Sequence, residues 1–247
     1  MNNELRPFWG KFFSLNWKLG LFLILVVCIT RFILVLNANS SGTYGLIGLV
    51  MIISAILPFV FLSKKGQKDI GIKKTQKYKW LLIAFISGLI VSFLLYLLGD
   101  GLYGNSYQNW YYYIGKSYKI PNDIKANDKA ILFSIMTLSG ITFSPIGEEL
   151  FFRGIVHSCF EKSIGTIKAS IVESSAFALT HISHFGLVFV NNEWTLFQGP
   201  TLIWVSSMFL ISILFLVFKK YSGSILGAII CHSAFNLGMI YCIFYLI

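Results

Sequence analysis

The chain has 247 residues, 56% hydrophobic, 17% aromatic and only 12% charged, and its mean hydropathy is +0.73. Average globular domains carry roughly 25% charged residues, so these figures exclude a disordered chain, a coiled coil and an ordinary cytosolic enzyme. They point to an all-α polytopic membrane bundle, at about 20 apolar residues per spanning helix.

Basic residues outnumber acidic ones, 20 to 10. In a soluble protein that excess would suggest a nucleic-acid partner. Here seven lysines fall between Ser63 and Lys79, in one loop between two apolar runs. Such a loop fits a cytoplasmic face against anionic lipid, with no nucleic acid. The four cysteines (Cys28, Cys159, Cys231 and Cys242) all lie in apolar stretches without a C-x-x-C pair. They read as small buried hydrophobes rather than a disulfide framework.

Residues 1–18 mix Arg6, Lys11 and Lys18 with Phe8, Trp9, Phe12, Phe13 and Trp17, the pattern of an interfacial segment. The apolar run that follows has no A-x-A cleavage site, so it reads as a helix rather than a signal peptide. About seven spans are expected, the first over residues 19–36. The next three are 44–62, 80–98 and 130–143, the last interrupted by Pro145 and resuming as a helix over 148–160. Residues 169–190, unusually polar for a span, then 202–218 and 225–247 complete the set. Residues 1–129 form an N-terminal part and residues 130–247 the core that carries the chemistry.

Lysine placement puts the N-terminus in the cytoplasm and the C-terminus outside. The cytoplasmic side then holds the 63–79 loop, Lys162, Lys168, Lys219 and Lys220. In the outer loop 99–129, Asp100, Asp123 and Asp128 offset the lysines, and Tyr103, Tyr107, Trp110, Tyr111, Tyr112, Tyr113 and Tyr118 read as an aromatic belt. The chain is thus expected to cross the cell membrane several times.

Ionisable side chains inside membrane helices cost several kcal/mol and mark function by default. They concentrate in three places: Glu148, Glu149 and Arg153; His181 with His184; and His232 with Asn236. Glu149 and Arg153 stand at i,i+4, the spacing of an ion pair, which leaves Glu148, about 100° away, free for chemistry. His232 and Asn236 share a helical face. Counting along the helices places Glu148, His181 and His232 in the cytoplasmic half of the bilayer, facing one polar cavity. A carboxylate that takes a proton from water, a histidine that orients that water, and His and Asn donors for an oxyanion are the parts for hydrolysing a peptide bond. There is no G-x-S-x-G or H-E-x-x-H. His184 could line the cavity, extend a metal shell or meet the outer interface. His157 reads as interfacial, Glu173 as facing the cytoplasmic interface, and Arg31 as snorkelling or paired in the bundle, with a substrate-carboxylate role as the alternative.

In order along successive apolar helices, Glu148-Glu149-x-x-x-Arg153, Phe177-x-x-x-His181 and His232-x-x-x-Asn236 resemble the CPBP family of CAAX proteases and bacteriocin-processing enzymes, also called Abi. Pro145, Gly147 and Phe152 fit the flanking pattern. The resemblance spans about residues 130–240 and implies an all-helical intramembrane endopeptidase. It implies that Glu148 and His181 activate the water, that His232 and Asn236 form the oxyanion hole, and that Arg153 braces Glu149. Glu148, His181 and His232 could ligate Zn²⁺ with an open position. If His232 serves the oxyanion, only two ligands remain, so a metal is allowed but not required. The expected substrate is a membrane-associated peptide or protein tail, such as a bacterial pheromone or bacteriocin precursor. Two other classes compete: a non-enzymatic immunity or scaffold protein of the same fold, and a proton-coupled carrier. All three motifs are intact, which disfavours the first, and no inverted repeat supports the second.

Overall fold

The computed structural model describes residues 4–43, 45–121 and 124–247. Met1, Tyr44 and Asp123, assigned above to the tail, the second span and the outer loop, lie outside them. The described residues are all-α apart from one hairpin. Its helices are α1 (Trp17–Ser41), α2 (Gly45–Phe61), α3 (Lys64–Asp69), α4 (Tyr78–Tyr103), α5 (Trp110–Ser117), α6 (Ala126–Glu149), α7 (His157–Ile164), α8 (Thr166–Thr180), α9 (Gln198–Ser222) and α10 (Ile225–Tyr245). A π-helical stretch, Leu150–Val156, joins α6 to α7, so Ala126–Ile164 is one continuous 39-residue rod. Among the described residues, five helices are long and apolar enough to cross a membrane: α1, α4, the α6–α7 rod, α9 and α10. Seven were expected. Of the other two, α2 has 17 residues, and the helix expected over 169–190 ends at Thr180.

Local chemistry sets the helix ends. Asn16 caps α1 by accepting from the Lys18 and Leu19 amides, and Gly42 ends it at φ 80°. Ser224 caps α10 just after Gly223 ends α9 at φ 69°; L-residues disfavour such positive φ. Beyond Thr180, His181–Ser183 form a 3-10 turn. Strands β1 (Leu187–Val190) and β2 (Glu193–Leu196) then pair antiparallel. Asn191 and Asn192 both have positive φ between them, as a two-residue hairpin loop requires.

The basic loops gather at one end of the bundle. There the tail bridges Leu5 to Leu62, the Trp17 amide donates to Ser163 Oγ at 2.9 Å, and the Ile225 amide to Gly71 O at 2.9 Å. Trp9 stacks on Phe61 while Phe8 and Phe12 stay exposed. At the opposite end Lys119 reaches Ser41 O and Tyr113 Oη accepts from the Phe189 amide. The aromatic loop at this end is not a belt facing lipid: Trp110, Tyr111 and Tyr113 are buried in the protein, and the Trp110 ring stacks on Trp204.

Packing relies on small residues where helices meet. A Cβ on Gly88 of α4 would collide with Cys231 O and Ala234 of α10, and Gly238 packs on Ser92. Close backbone approach of this kind gives dispersion contact where no hydrophobic driving force separates helix from lipid. Pro145 does not break α6. It lacks the N–H that would bond Ile141 O, and Ser233 Oγ of α10 donates to that carbonyl instead, at 2.7 Å.

Candidate active site

Four segments converge on one cavity of about 180 Å³. Glu148 comes from the last turn of α6, His181 and His184 from the turn after α8, His232 and Asn236 from α10, and Arg31 from α1. Phe177 and Phe215 wall it beside the histidines, at ring distances of 4.3 Å to His181 and 4.6 Å to His232.

Glu148 is not free. Arg31 Nη2 donates to its Oε1 at 2.9 Å, and Ser144 Oγ, one turn earlier on α6, donates to the same oxygen. Oε2 is buried and has no partner among the described residues. Arg31 Nη2 also lies 3.3 Å from His184 Nε2, while its Nε and Nη1 are buried and unpaired among the described residues. An unpaired intramembrane cation is costly, and Arg31, only 4% exposed, is offset by the carboxylate rather than snorkelling.

The histidines are each held by one nitrogen. His181 Nδ1 donates to Phe177 O at 2.7 Å. A carbonyl can only accept, so Nδ1 carries the proton and the neutral ring keeps its lone pair on Nε2. Trp204 Nε1 fixes the turn by donating to His181 O at 3.0 Å. His232 Nδ1 meets Glu149 Oε1 at 2.8 Å. Asn236 Nδ2 donates to Gly140 O at 2.9 Å.

Behind the cavity lies a second charge cluster. Arg153 Nε is 3.2 Å from Glu149 Oε2 and 3.8 Å from Glu173 Oε2. Its Nη2 donates to Ser212 Oγ at 2.7 Å, and its guanidinium lies 4.4 Å from the Phe177 ring centre. Glu173 is wholly buried here rather than facing an interface. His157, expected at the interface, is also buried, 3.9 Å from Glu161.

Glu148, His181 and His232 are the residues that the sequence allowed as ligands of a metal. No group of three or more His, Cys, Asp or Glu side chains among the described residues is arranged to hold an ion. Arg31 already pairs with Glu148 Oε1, and Glu149 meets His232 Nδ1.

Depth can be counted along the helices. His232 is seven residues into α10, about 10 Å from the lysine end, whereas His181 follows 15 residues of α8, about 22 Å from it, at 1.5 Å per residue. The remaining walls include Ile47 near the start of α2, Ile114 and Tyr118 at α5, and Met239 of α10. All of these lie toward the end opposite the lysines, so the cavity extends from its polar floor in that direction.

The motifs did not reveal Arg31 as the partner of Glu148, nor Ser144, Ser212 and Trp204. Ser144 stands at i−4 from Glu148, on the same helical face, and that spacing was a usable signal.

Fold and site together define a multi-pass, all-α membrane protein with a buried carboxylate–histidine cavity. The family model described as type II CAAX prenyl endopeptidase, Rce1-like, matches residues 130–238. Over that segment the chain is similar to the CPBP/CAAX-protease family of membrane-embedded endopeptidases. No curated protein and no solved structure matches the chain.

Proposed function

We propose that the protein hydrolyses a peptide bond of a membrane-associated peptide or protein tail, with Glu148 as general base. The observation that carries this reading is Glu148 Oε2, buried and without a partner among the described residues, in the cavity that His181 and His232 also line. Water held between Oε2 and His181 Nε2 attacks the carbonyl carbon and passes a proton to Glu148. The carbonyl π electrons move to oxygen, and the oxyanion lies toward His232 and Asn236. Asn236 keeps a second amide hydrogen for this task beside its bond to Gly140 O, and His232, held at Nδ1 by Glu149, lies next to it. Collapse breaks the C–N bond, and Glu148 returns its proton to the leaving amine. Arg153 holds Glu149 in place throughout.

The positive-inside rule puts the lysine end in the cytoplasm. The cavity then opens from its polar floor toward the outer half of the bilayer. A bacterial pheromone or bacteriocin precursor in the cell membrane is a substrate of suitable size.

The test is product mass spectrometry on short membrane-active peptides incubated with purified protein, with and without chelator. Wild type should release products in both conditions. Glu148→Gln, which keeps shape and removes the proton-accepting charge, should fall to the uncatalysed rate. Asn236→Ala should lose about 10²–10³ in turnover, as loss of one oxyanion donor does elsewhere. Full turnover by folded Glu148→Gln would reject the mechanism and favour a carrier role for the buried carboxylate.

A further inference from the structure

The groove between α8 and α9 on the outside of the bundle takes no part in the chemistry above. Its wide end, at the lysine end of the bundle, is a cavity of about 720 Å³ bordered by Ile167 and Ile171 of α8 and by Ile213 and Leu216 of α9. One turn further along both helices a cavity of about 440 Å³ continues it, between Ser175 and Leu179 on one side and Ser206 and Leu210 on the other. From Ile167 to Leu179 the groove runs about 18 Å at 1.5 Å per residue, close to one leaflet of a ~30 Å hydrocarbon core. Its rims are apolar and open, with Ile167 80% and Leu210 66% exposed, and the small side chains of Ser175 and Ser206 line its middle.

Lys73, Lys219 and Lys220 border the wide end, together with Asp69 and Glu161. Glu161 is already engaged, accepting from Thr166 Oγ1 at 2.7 Å and lying 3.9 Å from His157 Nε2. Lys219 Nζ donates to Arg153 O, which leaves Lys73 and Lys220 exposed at the mouth. The His157 ring lines the same cavity, and its buried Nδ1 has no partner among the described residues.

We propose that this groove binds one anionic phospholipid. The phosphate sits at Lys73 and Lys220 with His157 behind it, and an acyl chain lies between α8 and α9. Charge complementarity selects the occupant. A phosphodiester without its own cation neutralises the lysines, a zwitterionic headgroup does so less, and an apolar partner helix leaves them unpaired. The opposite faces of α8 and α9 carry Phe177 and Phe215, so the bound chain braces the cavity wall from outside. None of this depends on the peptidase reading.

Native mass spectrometry of the purified full chain tests it, with dioleoyl phosphatidylglycerol and dioleoyl phosphatidylcholine offered at equal concentration. One phosphatidylglycerol should be retained in preference. The combined Lys73→Gln and Lys220→Gln variant should reduce that preference about tenfold or more, from the loss of two surface lysines. Ser206→Trp, which fills the groove, should lower retention of lipid with the melting temperature kept. Glycerol 1-phosphate, which has the phosphate and no chains, should not displace the lipid. Equal retention of the two lipids, indifference to either variant, or displacement by glycerol 1-phosphate overturns the proposal. So does a stable complex with another membrane protein that Ser206→Trp abolishes and the lysine changes leave intact.

Discussion

Arg31 and Arg153 are both buried guanidinium groups, and their surroundings give them different jobs. Arg153 is enclosed by Glu149, Glu173, Ser212 and the rings of Phe177 and Phe215. Arg31 has one firm partner, Glu148 Oε1, and borders the cavity. Removing one member of a buried pair typically costs about 3–5 kcal/mol, so Arg153→Ala should lower the melting temperature by several degrees along with activity. Arg31→Gln should cut turnover more sharply than stability, because Glu148 loses the cation that orients it. Melting curves and peptide turnover on both variants check the contrast; if Arg31→Gln melts early and turns over normally, Arg31 is only a counter-ion. The polar residues themselves were legible in the sequence, because each is expensive inside a membrane helix. The Arg31–Glu148 pair was not: its members are 117 positions apart, and only packing of α1 against the α6–π segment joins them.

At the scale of elements, composition misled where a helix depends on its neighbour. Pro145 marks a break on local rules, yet α6 runs through it because Ser233 of α10 satisfies the carbonyl that proline frees. That bond also fastens α6 to α10 beside Asn236 and Gly140. The π-helical stretch begins directly after Glu149; such segments are rare and often mark functional sites. The helix expected over 169–190 stops at Thr180, and the Asn191-Asn192 pair between two short apolar runs was the unread hairpin signal. Gly147 is a further point of contact, since a Cβ there would come within 2.5 Å of Met51 O, on the α2 wall of the cavity. Alanine in a helix interior normally gains about 1 kcal/mol over glycine. Gly147→Ala should instead destabilise, by about 1–3 kcal/mol as overpacking does. Gly48→Ala, with nothing within 4 Å of its Cβ, should be neutral or stabilising. Melting temperatures of the two variants decide it.

For the whole molecule, orientation is read by labelling the two ends of the bundle. Lys65 and Gln108 are exposed at opposite ends of the bundle, and all four native cysteines are buried. With the lysine end in the cytoplasm, a membrane-impermeant maleimide applied to intact cells should label Gln108→Cys and spare Lys65→Cys. The reverse pattern would place the lysine end outside and the cavity mouth inside, and would move the substrate to the cytoplasmic face.

The sequence by itself determined the class and singled out the polar residues proposed for the chemistry. A mean hydropathy of +0.73 requires helices that satisfy their own backbone in lipid, and the three motifs name the groups that an apolar helix would otherwise avoid. Only the tertiary structure decided what each group touches. It set Arg31 against Glu148, gave Glu149 to both His232 and Arg153, and buried Glu173 and His157. It also folded the aromatic loop inward, where Ile114 and Tyr118 wall the cavity. Hydropathy reports how costly a residue is in lipid, a property of the residue alone. Which partner offsets that cost depends on contacts between helices distant in sequence, and a single chain's pattern does not record those contacts.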